Sequence, residues 1–402
     1  MRLKNRLSVI FSIVFIDFLG LSFILPLYPD IADRFGLSAT AITLLAAAYA
    51  LMQFIFSPIL GRISDRIGRK PVLAITSLGT AASFVFFGLA TSVPLLFLSR
   101  ILNGIFGSSA AVAQAYIADV TGKDERTEGM GAVGAALGLG LIFGPALSAF
   151  LGGYGYSGPA LGAAAITLLN SIFILFFLKE SLPKELRRRS GQFKLFDFGA
   201  KDFIEVLKHP LMGRILITYF ISTLALALIQ NIAVLFAEER FHLTLQENGY
   251  FFAVVGLAMV LTQGFLVGRL EKNIGESAVL VLGTLFLLMG YFLTPLIEQV
   301  GIIVVAAGLV ALGAGLYLPA VNSLISKNAS SREQGEIFGM VHSLIGLALI
   351  VGPVLGGILF DVLGSGSPFF VAGILTIFSL YFSLKVFNRL RQVEKRKFFW
   401  HR

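Results

Sequence analysis

Apolar runs of about 20 residues recur along the whole chain, each long enough to cross a hydrocarbon core of roughly 30 Å as a helix. Twelve such spans are predicted, at 7–29, 39–60, 71–90, 93–118, 129–153, 158–178, 212–236, 246–267, 278–296, 301–326, 336–362 and 367–387. The connections 91–92, 154–157, 297–300 and 363–366 are short and carry almost no charge, as extracytoplasmic turns should. One long polar stretch, 179–211, interrupts the series. It contains Arg187-Arg188-Arg189 and then Phe193–Leu207, where apolar and charged residues mix. It is expected to be a cytoplasmic linker with an amphipathic helix lying at the membrane surface. The chain then divides into a six-helix bundle over 1–178, the linker 179–211, a second six-helix bundle over 212–387, and a basic cytoplasmic tail over 388–402.

Composition agrees with this pattern. Of 402 residues, 56% are hydrophobic and 14% charged, and the mean hydropathy is +0.85. A soluble protein of this length could not cover its surface with so little charge. The fold class expected is an all-α polytopic membrane protein. The first apolar run is too long, and too closely followed by others, to be a cleaved signal peptide. The net charge of +9 does not indicate nucleic-acid binding. Of the 32 Lys and Arg, all but Arg34, Arg240 and Arg100 fall in the N-terminus, alternate loops and the C-terminal tail, or, as Arg214 and Lys385 do, within three residues of a span end beside them. That asymmetry is a topology signal and puts both termini in the cytoplasm. The chain has no Cys, which excludes disulfides and thiolate metal sites.

The most unusual polar stretch is Gly61-Arg62-Ile63-Ser64-Asp65-Arg66-Ile67-Gly68-Arg69-Lys70, between the second and third spans. It reads as a short loop able to turn sharply at both glycines. A degraded copy, Gly268-Arg269-Leu270-Glu271-Lys272-Asn273-Ile274-Gly275, follows 207 residues later. At an offset of 208, Gly107 matches Gly315, Gly131 matches Gly339, and Gly144-Pro145 matches Gly352-Pro353. Arg34-Phe35-x-Leu37-Ser38 matches Arg240-Phe241-x-Leu243-Thr244 at 206. Nearly constant offsets at equivalent places imply two pseudo-symmetric halves of parallel topology, the construction of a rocking transporter.

These residues carry a resemblance. Gly61–Lys70 resembles the loop signature of the major facilitator superfamily, G-x-x-x-D-R-x-G-R-[KR]. Gly138-Leu-Gly-Leu-Ile-Phe-Gly-Pro145 resembles the fifth-helix motif of its antiporter branch, and Arg100-Ile-Leu-Asn-Gly104 the fourth-helix motif. Asp17 through Pro29 resembles the first helix of the twelve-helix drug:proton antiporters. Tyr49 through Pro58, running into the loop, is most similar to the tetracycline efflux proteins. The resemblance implies a proton-coupled exporter of hydrophobic small molecules working by alternating access. There are departures. Ser83 stands where the tetracycline exporters carry an acid, and 278–296 lacks another acid of that family.

Asp17 sits about ten residues into the first span, roughly 15 Å deep at the rise of a helix. Desolvation there raises a carboxyl's affinity for a proton, which suits a proton-coupled carrier. Arg100 lies in the fourth span, must meet an anion, a carbonyl or water, and is expected to tune Asp17 or the backbone near it. The Gly61, Arg62, Asp65, Arg66, Gly68 and Arg69 group is read as a cytoplasmic gate. In it Arg62 or Arg66 pairs with Asp119, and Asp65 can accept from amides at a helix N-terminus. By resemblance that helix is the eleventh, starting near Gln334–Phe338. Gly138, Gly140 and Gly144 offer a small-residue face, and Pro145 should bend its helix. By resemblance the fifth helix faces the eighth or eleventh. Gln53, Asn103, Gln114, Gln230, Asn231, Gln263, Tyr317, Asn322 and His342 are candidate polar groups of a mostly apolar central cavity.

The expected partners are a small lipophilic substrate, protons and the lipid bilayer, with no nucleic acid, no cofactor and no metal. The expected state is a monomer in a bacterial cytoplasmic membrane. Import by the same architecture, or a non-transporting receptor or scaffold, are the alternatives. A membrane enzyme is disfavoured, since there is no Walker-type motif, metal cluster or nucleophile beside a His and an acid.

Overall fold

A computed structural model describes residues 11–16, 18–19, 22–120, 126–183, 187, 200–329 and 334–400. All regular structure among them is helical. The first span begins as α1, the helical residues 11–16 and 18–19. It ends in a single 3-10 turn, Leu25–Leu27, and α2, Tyr28–Phe35. Then come α3 (Ala39–Ile67), α4 (Arg69–Gly88), α5 (Val93–Phe106), α6 (Ser109–Val120), α7 (Arg126–Leu151) and α8 (Ser157–Phe177). The amphipathic helix expected in the linker is α9, Ala200–Lys208. The second half runs through α10 (Met212–Gln230), α11 (Ile232–Phe241), α12 (Leu245–Leu261), a π turn at Thr262–Leu266 and α13 (Val267–Ile274). It finishes with α14 (Glu276–Leu293), α15 (Val300–Asn328), α16 (Gln334–Leu363) and α17 (Ser367–Trp400). Among the described residues, 10 helices are long and apolar enough to cross a membrane. The remaining two of the twelve spans correspond to α1 with α2, and to α7.

Local chemistry sets the ends of these helices. Gly36, at φ 62°, closes α2, and Ser38 caps α3 by accepting from the Ala41 amide at 3.3 Å. The matching Thr244 builds a full capping box on α12. Its amide donates to Glu247 Oε2 at 2.9 Å, and the Glu247 amide donates back to Thr244 Oγ1 at 3.3 Å. The Arg-Phe-x-Leu-Ser/Thr repeat is thus a repeated helix start.

The Gly61–Lys70 stretch departs from its reading as a loop. α3 runs through Gly61 without a break to Ile67, and α4 starts at Arg69. Only Gly68 turns, at φ 111° and ψ 159°. Gly275 does the same in the copy, at φ 82° and ψ 155°. Both angles lie where only glycine is comfortable.

The chain packs into two compact units, one of 1–195 with 242–254 and one of 196–241 with 255–402. In the first, α4 packs on α5 and α8, and α3 on α5. In the second, α14 packs on α15 and α17, and α10 on α16 and α17. Ile13, Val72, Val112, Tyr116, Ile117 and Ile174 form a buried cluster in the first unit. The outward faces carry Leu169, Phe176, Phe265, Val305 and Phe378, apolar patches suited to lipid rather than water.

Small residues permit the closest approaches. Ser22 Oγ donates to the Gly140 carbonyl at 2.7 Å, and also back to Phe18 and Leu19 within its own helix. A Cβ on Gly144 would press on Ser22 and come within 2.8 Å of the Leu19 carbonyl. In the second unit, a Cβ on Gly352 would come within 2.7 Å of Ala227 and 2.9 Å of the Leu228 amide. With no hydrophobic drive between helices in lipid, this contact and the cross-helix hydrogen bond hold α7 on the first span. Gly144→Ala should therefore lower stability by about 1–3 kcal/mol. Gly308→Ala, where nothing lies within 4 Å, should be neutral or slightly stabilising. Thermal melts of the two variants in detergent provide the comparison.

Candidate functional site

The bend at Gly68 brings charges from three separate stretches together. Arg69, the first residue of α4, pairs with Asp65 on the last turns of α3 at 2.7 Å. Its Nε reaches Asp119 in the last turn of α6 at 3.1 Å. Its Nη1 donates to Ser64 Oγ at 2.5 Å and to the Gly61 carbonyl at 3.5 Å. Arg69 side-chain exposure is 8%, so the guanidinium is held by protein rather than by water. The spacing follows from the helix: Gly61, Ser64, Asp65 and Gly68 fall on one side of the last turns of α3.

A cation at the start of α4 opposes the helix dipole, and the free amides there need acceptors. Glu180, beyond α8, supplies them. Its Oε1 accepts from the Arg69 amide at 2.9 Å and its Oε2 from the Lys70 amide at 3.3 Å. Ser181 Oγ donates to Asp119 at 2.9 Å, and Tyr116 Oη donates to the Lys179 carbonyl at 2.9 Å. The ends of α3, α4, α6 and α8 are thereby tied into one network.

Deeper in the first unit, Arg100 on α5 is 2% exposed. Its guanidinium lies 4.4 Å from the Phe87 ring centre and 6.0 Å from that of Phe84. Among the described residues its Nε and Nη2 have no hydrogen-bond partner. One turn on, Asn103 donates to Ser83 Oγ at 2.8 Å, and Ser83 in turn donates to the Thr80 carbonyl at 2.7 Å. Gln53 Nε2 donates to Tyr49 Oη at 2.8 Å and to the Gly107 carbonyl at 3.4 Å. Phe18, Tyr49, Gln53, Thr80, Phe84, Asn103, Gly107 and Ser109 line a narrow cavity of about 20 Å³. That is room for a water molecule, not for a drug-sized compound.

The sequence pattern of the Major Facilitator Superfamily matches residues 10–297 and 215–400, which together span nearly the whole chain. The chain belongs to the major facilitator superfamily. A tetracycline resistance protein, class E, of Escherichia coli is 35% identical over 353 residues, 87% of this chain and 86% of that protein. Multidrug resistance protein 2 of Bacillus subtilis (strain 168) is 32% identical over 381 residues, 94% of each. These relatives place the chain in the drug:proton antiporter branch. Among solved structures, the human organic anion transporter MFSD10 (TETRAN) is similar at a TM-score of 0.71 and 21% identity, covering 95% of this chain and 100% of that one. A bacterial homolog to the human lysosomal transporter Spinster, inward-facing and unoccupied, gives 0.78 at 14% identity, covering 97% and 98%. These two show the major facilitator fold.

Within that fold the expected site residues take definite places. Asp17 lies outside the described residues. Asp119 is met by Arg69 and Ser181, where Arg62 or Arg66 was expected. The reason is the bend, which aims the first residue of α4 at the end of α6. The expected contact of Asp65 at the eleventh span involves residues 334–336, whose side chains lie outside the described residues. Gly140 and Gly144 face Phe18, Leu19 and Ser22 of the first span, and the resemblance had pointed to the eighth or eleventh. The eighth is touched elsewhere: a Cβ on Gly249 would meet Ala149 and the Pro145 carbonyl at 2.6 Å. Gly138 and Gln114 are half-buried.

In the second unit, Tyr317 is fully buried and its hydroxyl donates to the Thr218 carbonyl at 3.0 Å. Asn322 Nδ2 donates to the Leu318 carbonyl at 2.9 Å. Asn231 is buried, and Gln230, Gln263 and His342 are exposed. Glu180 escaped sequence reasoning because it belongs to no motif and stands 111 residues from the amide that it caps.

The two bends separate backbone strain from loss of the cap. Gly68→Ala and Gly275→Ala should each lose about 1–3 kcal/mol from forcing an L-residue into a glycine conformation. A Cβ on Gly68 would also collide with the Glu180 carboxylate, whereas nothing lies within 4 Å at Gly275. Gly68→Ala should therefore melt lower, by about 1 kcal/mol more, the scale of a lost N-terminal cap. Equal melts in detergent would show that Glu180 contributes no such cap.

Proposed function

We propose that this chain is a proton-coupled secondary transporter that exports lipophilic small molecules by alternating access. It works as a monomer in a bacterial cytoplasmic membrane, with both termini on the cytoplasmic side. The observation that carries the reading is Arg100, a buried cation two of whose nitrogens have no hydrogen-bond partner among the described residues. A guanidinium cannot usefully shed its proton, so at this depth it calls for an anion. Asp17, about ten residues into the first span by sequence, is the acid assigned to it. When Asp17 takes up a proton, Arg100 loses that partner and α5 is free to shift. When the proton leaves on the cytoplasmic side, the pair re-forms.

The Asp65–Arg69–Asp119 network is the cytoplasmic gate of the same cycle. A difference of a few kcal/mol between open and closed gates is enough to set which state dominates. The substrate class follows from the relatives, named for resistance to tetracycline and to multiple drugs. It also follows from the Phe-rich, acid-poor spans. Ser83, bonded to Asn103, occupies the place of an acid in the tetracycline exporters. This favours neutral or weakly charged lipophilic compounds over tetracycline itself.

Proteoliposomes under an imposed pH gradient test the proposal, with ethidium and tetracycline as probes. The natural chain should move ethidium uphill. Asp17→Asn should reduce gradient-driven movement by at least about 100-fold while leaving exchange down a substrate gradient, since only the proton-accepting step is removed. Uphill transport retained by Asp17→Asn would remove the coupling assignment.

A further inference from the structure

The copy of the Gly61–Arg69 segment repeats the backbone and inverts the charges. Asp65, Arg69 and Asp119 correspond to Lys272, Glu276 and Lys327 at offsets of 207, 207 and 208. The bends at Gly68 and Gly275 share one conformation, and Arg69 and Glu276 each open the helix that follows. Glu276 Oε1 accepts from Ser323 Oγ at 2.9 Å and pairs with Lys327 Nζ. Ser323 and Lys327 are four residues apart, on one face of the last turns of α15. Negative–positive–negative in the first unit has become positive–negative–positive in the second.

Polarity matters because helix ends are charged. Arg69 sits at the positive end of α4, and Asp119 at the negative end of α6, so both oppose their dipoles. In that arrangement Glu180, from beyond α8, caps the start of α4. Glu276 sits at the positive end of α14 and Lys327 at the negative end of α15, so both are favoured by their dipoles. Glu276 side-chain exposure is 16%, against 67% for Lys327, which leaves the carboxylate enclosed and the ammonium free to follow it.

We infer that Glu276, Ser323 and Lys327 form a permanent fastener of α14 on α15, closed throughout the transport cycle, and that the dipole-opposed Arg69–Asp119 pair is the one that opens. The three are positioning residues: they keep the cytoplasmic end of the second unit rigid while it tilts. This rests on the alternating-access reading above.

Because the natural chain has no Cys, a Glu276→Cys/Lys327→Cys variant offers the only two thiols. They can be joined by a short bifunctional thiol reagent cleavable by reductant. Ethidium exchange in proteoliposomes is the readout. Unbridged, the variant should show a maximal rate about three- to tenfold below that of the natural chain with KM unchanged. Bridging should restore the rate, and reductant should abolish the restoration. A loosened but otherwise idle contact would change the melting temperature without this rate recovery. An unbridged variant as fast as the natural chain, or a bridge that stops exchange, would overturn the inference. Should the natural chain itself move no ethidium, the transport reading fails instead. The fastener is then judged by melting alone: bridging raises the melting temperature if the residues are held together, and an unchanged value overturns it.

Discussion

One guanidinium ties together the ends of three helices in the first unit. Arg69 meets Asp65, Asp119, Ser64 and the Gly61 carbonyl, and its own amide is capped by Glu180. Remove it and Asp65 and Asp119 lose the cation that they share. Such a centre is strong while closed, because its bonds are charge-assisted and its guanidinium is buried. It is also easily unbalanced, because each charge opposes the dipole of the helix it sits on. Those two properties together suit a gate better than a brace.

The hydrocarbon imposes the rest. A polar group within the spans has no water to fall back on, so its partner must be another helix or its own preceding turn. Ser77 and Ser171 donate across the α4–α8 contact, to the Thr167 and Ala74 carbonyls, at 3.1 and 3.2 Å. Ser222 and Ser379 meet at 2.6 Å where α10 packs on α17. Thr43, Thr284, Thr294 and Thr376 turn back on carbonyls four residues earlier. Ser148, Thr218, Thr223 and Tyr291 also have buried hydroxyls with no partner among the described residues, but Arg100 differs from them in carrying a full charge.

Hydropathy made the spans legible and misplaced the helix ends. The apolar run stops at Leu60, but the helix continues two turns further, to Ile67. Composition marks the membrane boundary, whereas hydrogen bonding marks the helix boundary. The same confusion turned a helix end and a one-residue bend into a ten-residue loop, and so hid that Arg69, already counted in the gate group, reaches Asp119. The internal repeat was legible because a glycine conformation leaves a sequence trace at Gly68 and Gly275. Glu180 was not, because a cap that closes through the fold leaves none. Tyr317 read as a cavity group, since a hydroxyl in a span looks functional. In the structure that hydroxyl donates to the Thr218 carbonyl.

The claim on which the account turns is that Arg69 and Asp119 act as a pair. A double-mutant cycle with Arg69→Gln, Asp119→Asn and the double variant, followed by reversible denaturant unfolding in detergent, measures it directly. The account predicts a coupling of about 1–3 kcal/mol, the range for close partners in one network. A coupling within about 0.3 kcal/mol of zero would contradict it, and the cytoplasmic gate would then need another centre.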